Sequence, residues 1–84
     1  MVRILYFARL REALGTGAEE VAMGSGIRDV ASLMEWLRSR GGAWAEELAP
    51  GRAVRVAVNQ RMADLGTAVG DGDEVAFFPP VTGG

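Results

Sequence analysis

The chain has 84 residues, 49% hydrophobic and 24% charged, with a net charge of −2 and a pI near 5.0. That suits one compact globular domain, which at this size buries only ~60 to 65% of the surface its unfolded chain exposes, so no roomy active-site cavity is expected. Cys, His and Lys are absent and all nine basic residues are Arg, which excludes disulfides, thiolate and imidazole metal sites, Cys nucleophiles, the usual general base and Schiff-base lysines.

The charge balance supplies no basic footprint, so neither nucleic acid nor a membrane surface is expected as a partner. No stretch approaches the ~20 apolar residues of a membrane span, and Arg3, Arg9 and Arg11 interrupt any signal-peptide core. The expected location is the cytoplasm.

In chain order, residues 2–7 (VRILYF) are rich in β-branched and aromatic residues and predict a first strand. Its period-2 alternation turns Val2, Ile4 and Tyr6 inward and leaves Leu5 and Phe7 on the outer face with Arg3. Residues 8–15 predict a short helix ending at Gly15, followed by a Thr16-Gly17 turn and a second strand near 18–23. From Ile27 to Arg40, Val30, Leu33, Met34 and Leu37 recur at i, i+3, i+4 and i+7, predicting the main helix with one buried face and a cap at Ser25 or Gly26. A shorter helical piece is predicted at 43–49. Val54, Val56 and Val58 alternate with Arg55 and Ala57 as in a strand buried on one face. A turn at Asn59-Gln60 precedes a short strand beginning at Met62, and Asp71-Gly72-Asp73 turns into a last strand at 74–78.

These elements predict an α+β fold in which one main helix crosses a mixed sheet whose first and last strands are adjacent and parallel. The division expected is a folded domain over 1–78 and a flexible tail over 79–84.

Three G-x-G triplets, at 15–17, 24–26 and 70–72, read as turns because none continues to G-x-G-x-x-G. Asp71, Asp73 and Glu74 lack the spacing of a calcium loop and read as a solvated acidic turn, so no metal site is expected. The outer face carries a sharper signal. If Val75 and Phe77 face the core, Phe78 lies outside, and beside Phe7 it forms an apolar patch of the kind that marks a partner, unless a short helix or the 43–49 segment covers it.

The chain ends FFPPVTGG. Pro79 and Pro80 cannot donate to a sheet ladder, so they stop the strand and start a stiff arm. The last two residues carry no Cβ, so the arm can enter a channel closed to other residues and deliver a carboxylate that is ionised at neutral pH, with a pKa of about 3.5.

With YFARLREALG at 6–15, AVNQ at 57–60 and DGDEVAFFPPVTGG at 71–84, the chain resembles the small subunits of molybdopterin synthase, sulfur carriers of the ubiquitin-like β-grasp superfamily. Carriers for thiazole or tRNA thiolation are typically shorter and lack the FFPPV element and the first-crossover helix.

The resemblance implies that an ubiquitin-activating-type enzyme uses ATP to adenylate the Gly84 carboxylate, and that a persulfide enzyme supplies sulfur to make a thiocarboxylate. That sulfur passes to cyclic pyranopterin monophosphate in the large subunit, within a heterotetramer of two small and two large subunits. No permanently bound cofactor is implied, and the isolated chain is not an enzyme. Gly83 gives clearance in the channel. Phe7, Met62 and Phe78 match the family's docking surface, Met62 on resemblance alone, and the tail residues Pro79, Pro80, Val81 and Thr82 join the partner-binding set. Other readings are a related carrier for thiamine or tRNA thiolation, a protein modifier forming isopeptide bonds, or a β-grasp RNA-binding module; the acidic pI and the Gly-Gly end disfavour the last.

Overall fold

The structure is a computed structural model and describes residues 1–24 and 26–80. The elements run β1 (Val2–Tyr6), α1 (Ala8–Leu14), β2 (Ala18–Val21), α2 (Val30–Arg38), α3 (Gly42–Glu47), β3 (Arg55–Val58), β4 (Arg61–Met62) and β5 (Glu74–Phe78). One mixed sheet has the order β2-β1-β5-β3-β4. β1 and β5 pair in parallel at its centre, Ile4 opposite Val75 and Tyr6 opposite Phe77, and the other pairs are antiparallel. This is the expected β-grasp architecture.

The helices lie on one side of the sheet. Leu10 of α1, Val30, Leu33 and Leu37 of α2, and Leu48 after α3 join Val2, Ile4, Tyr6, Val56, Val58, Val75 and Phe77 in a single core. Each of the five helix-side leucines and valines is fully buried. At about 25 cal/mol per Å² of apolar surface removed from water, such side chains supply most of the driving force for folding. The buried face of α2 follows the predicted period, although Met34 is half-buried at the margin of the core.

Several expectations need correction. The cap of α2 is Asp29, not Gly26, and Ser25 lies outside the described residues. The Asp29 side chain accepts from the Ser32 backbone N–H at 2.8 Å while the Ser32 hydroxyl accepts from the Asp29 N–H at 3.0 Å, a reciprocal capping box that satisfies two helix-end donors. Ile27 is buried three residues before Val30, so it shares the helical period while preceding the helix. β2 ends at Val21 rather than near 23. β3 starts at Arg55, and it is not buried on one face alone, because Ala57 is also covered between Ala76 and Met62. β4 begins at Arg61.

The turn chemistry agrees better. Gly15 ends α1 with φ +74°, a conformation that suits glycine. Asn59 and Gln60 both have positive φ, which gives the β3–β4 hairpin the twist of a two-residue primed turn. Among the described residues no helix is long and apolar enough to cross a membrane.

A helix-free sheet face as candidate functional site

Because successive strand residues point to opposite faces, everything packed against the helices leaves its neighbours on the other face. One row across that face reads Ala18, Leu5, Ala76, Ala57 and Met62, each directly opposite the next. The strand register then carries Phe7 and Phe78 side by side, one residue beyond the paired Tyr6 and Phe77, with the Phe7 N–H donating to the Phe77 carbonyl at 3.1 Å. Phe7 is 47% exposed and Met62 63% exposed, whereas Phe78 is half-buried. From β1 to β4 the patch spans about 14 Å, three strand spacings.

The geometry therefore brings together Phe7, Phe78 and Met62. Phe7 and Phe78 follow from alternation alone. The position of Met62 does not, because its strand is two residues long and its parity depends on the Asn59-Gln60 hairpin register. Leu5, Ala57 and Ala76 complete the patch, and they are recognisable only when all four strands are ordered.

β5 stops at Phe78, and Pro79 and Pro80 follow it outside the sheet. Val81, Thr82, Gly83 and Gly84 lie outside the described residues. The base of the tail thus emerges from the aromatic end of the apolar face. Arg55, opposite Phe78 on β3, borders that exit.

The acidic turn has internal duties. Asp73 accepts from the Gly70 N–H at 2.7 Å and from Asn59 Nδ2 at 3.0 Å, and Asp71 pairs with the Met1 amino group. The Asn59 hydrogen bond, then the Gly70 one, holds the Asp73 carboxyl below its ordinary range. Among the described residues no cluster of three or more metal-ligating side chains is present.

On the helical side, an open groove of about 440 Å³ runs between α2 and β3, lined by Met34, Leu48, Val54, Val56 and Leu65, more space than the chain length led us to expect. Its polar rim contains Glu35, Arg38, Arg52, Arg55 and Asp64, a set without a nucleophile and base pair.

Composition and spacing missed one polar cluster altogether. Arg40 forms a two-pronged ion pair with Glu19, at 2.8 and 2.9 Å, and its guanidinium lies between Trp36 and Trp44, 4.7 and 4.4 Å from the ring centroids. The Tyr6 hydroxyl donates to the same Glu19 at 2.8 Å. Burial, reinforced by Glu19, pushes the Tyr6 hydroxyl pKa far up, which removes it as a nucleophile. Burial alone raises the Glu19 pKa, but the hydrogen bonds from Arg40 and Tyr6 outweigh it and hold the carboxyl below its ordinary value.

Comparison with known proteins narrows what this arrangement belongs to. The molybdopterin synthase sulfur carrier subunit of Escherichia coli (strain K12) is 43% identical, with all of both chains covered. Among solved structures, SAMP1 of Haloferax volcanii superposes with a TM-score of 0.79 at 31% identity, covering 99% of this chain and 98% of that one. The complex of subunits 1 and 2 of molybdopterin-converting factor from Helicobacter pylori contains a chain of the same fold, with a TM-score of 0.67 at 24% identity over 99% of this chain and 97% of that one. The model of the ThiS family matches residues 4–84, so the chain belongs to the ThiS family, within which its curated relatives are molybdopterin synthase sulfur carrier subunits.

Proposed function

We propose that this chain carries sulfur as a thiocarboxylate on Gly84 and delivers it in molybdopterin synthase. The observation that carries the reading is the apolar, helix-free sheet face with Phe7, Phe78 and Met62, from whose edge the Pro79-Pro80 arm departs toward Gly83-Gly84. A partner seated on that face takes up the base of the arm in a fixed direction, with Pro79, Pro80, Val81 and Thr82 lying against it.

An ubiquitin-activating-type enzyme first joins the Gly84 carboxylate to the AMP portion of ATP, releasing pyrophosphate. A persulfide sulfur then displaces AMP, and thiol cleavage of the resulting acyl disulfide leaves the thiocarboxylate. In the large subunit, in a heterotetramer with two copies of each chain, this sulfur is transferred to cyclic pyranopterin monophosphate. ATP is the activating enzyme's substrate, and the carrier needs no resident cofactor. The chemistry requires no acid or base from this chain, which fits its lack of Cys, His and Lys.

Position is the testable element. A residue advances the chain by ~3.3 to 3.6 Å, whereas reacting atoms must lie within ~3 to 3.5 Å. Adding one residue after Gly84, deleting Gly84, or placing a branched side chain with Gly83→Val should abolish ATP–pyrophosphate exchange and sulfuration while leaving folding intact. Wild-type rates in the extended variant, without trimming, would sink the reading.

A further inference from the structure

Beside the aromatic patch the backbone is held in a conformation that its residue does not favour. Ala8 has φ +52°, the left-handed region in which a Cβ crowds the following carbonyl oxygen. Among the described residues such positions otherwise go to glycine, as at Gly15 and Gly41, or to the Asn59-Gln60 hairpin turn, whose type requires positive φ. Alanine has neither glycine's freedom nor a polar side chain to bond locally, so the surrounding structure imposes the angle.

The cause lies on both sides of Ala8. The Phe7 N–H donates to the Phe77 carbonyl at 3.1 Å, which keeps Phe7 on the β5 ladder one residue beyond β1. The Phe7 carbonyl accepts from the Leu10 N–H, also at 3.1 Å, so the same residue closes the first turn of α1. Leu10 is fully buried in the core on the helical side. Because β1 ends at Tyr6 and α1 begins at Ala8, no loop shares the reversal. Were Ala8 to return to negative φ, either Leu10 would leave the core or Phe7 would leave the ladder. Leu10 has its whole side chain out of water, whereas Phe7 is 47% exposed and held by one backbone bond at the ladder's end, so Phe7 yields first.

We infer that Ala8 is a positioning residue for docking: its left-handed backbone keeps Phe7 in register beside Phe78, where a partner takes hold of both. It touches no reacting atom and acts through Phe7 alone. This rests on the proposed seating of the large subunit on the face of Phe7, Phe78 and Met62.

Ala8→Pro isolates the angle. Proline is favoured at the first helical position, where the N–H has no intrahelical partner to lose, and Phe7 at φ −122° and ψ 157° already has the extended geometry that precedes a proline. Only the sign of φ conflicts, since the ring fixes it near −65°. Affinity for the large subunit is measured by calorimetric titration for Ala8→Pro, Phe7→Ala and the double variant, beside urea unfolding of each. Phe7→Ala should lose roughly 30-fold in affinity and Ala8→Pro about 10-fold or more. In the Phe7→Ala chain the proline should cost less than about 2-fold further affinity, while lowering the unfolding midpoint as much as it does alone. Ala8→Gly, which accepts positive φ freely, should bind within about 2-fold of the unsubstituted chain. A merely structural role would lower the midpoint and leave affinity unchanged. That result, an equal affinity loss with and without Phe7, or a similar loss in Ala8→Gly would overturn the inference. If Ala8→Pro does not fold, Ala8→Val, whose branch also disfavours positive φ, is judged by the same outcomes. Undiminished affinity in Phe7→Ala would instead remove the docking reading, and the inference with it.

Discussion

Phe77 and Phe78 are neighbours in sequence with opposite duties. Phe77 is fully buried and stacks on Tyr6 at 6.1 Å, whereas Phe78 turns to the helix-free face beside Phe7. Alternation made this division legible in the sequence, since Val75 and Phe77 had to share the core face. Phe77→Ala should cost about 3 to 5 kcal/mol of folding stability, the range for a buried aromatic truncated to Ala. Phe7→Ala should weaken binding to the large subunit by about 2 kcal/mol, as an aromatic anchor does, with little change in denaturant midpoint. Calorimetric titration and chemical unfolding of the same two variants check both. If Phe7→Ala lost as much stability as affinity, the patch would be part of the core and not a docking surface.

At the scale of elements, the periodic face of α2 could be read from Val30, Leu33 and Leu37, but its start could not. Ile27 keeps the helical spacing from the preceding loop, and the Asp29–Ser32 box uses Ser where a Glu or Gln is the usual cue. Leu33→Ala should destabilise the protein by about 2 to 5 kcal/mol by opening a cavity between α2 and the sheet. A loss too small to measure by urea unfolding would mean that α2 does not hold the core.

The Glu19–Arg40 pair, which ties edge strand β2 to the segment between α2 and α3, was invisible in the sequence because its partners are 21 residues apart and on no common element. Glu19 has a folded pKa below its ordinary 4.5, so its stabilisation is present above that value and is lost as pH falls through the folded one. The difference in melting temperature between the native protein and Glu19→Gln should therefore be widest near neutrality and narrow below pH 4.5. A gap that stays constant into strong acid would show that this ion pair contributes nothing.

Across the whole molecule, parallel pairing of the first and last strands separates two ends with different chemistry. The start of β1 meets the acidic turn at Asp71, while the end of β5 releases the Pro79-Pro80 arm from an apolar face. The end of the last strand was legible from composition, since Pro79 and Pro80 cannot donate to a sheet ladder and β5 stops at Phe78 before them. The width of the apolar face was not, because it depends on strand order and on the register of a two-residue strand.

The central claim is that Gly84 carries sulfur. Intact-mass measurement of the protein purified from cells making molybdenum cofactor tests it most directly. The account predicts a fraction in which one oxygen is replaced by one sulfur, localised to the C-terminal peptide and lost from cells without the activating enzyme. A terminus bearing only the carboxylate under those conditions, including when the large subunit is deleted so that transferred sulfur accumulates, would contradict it.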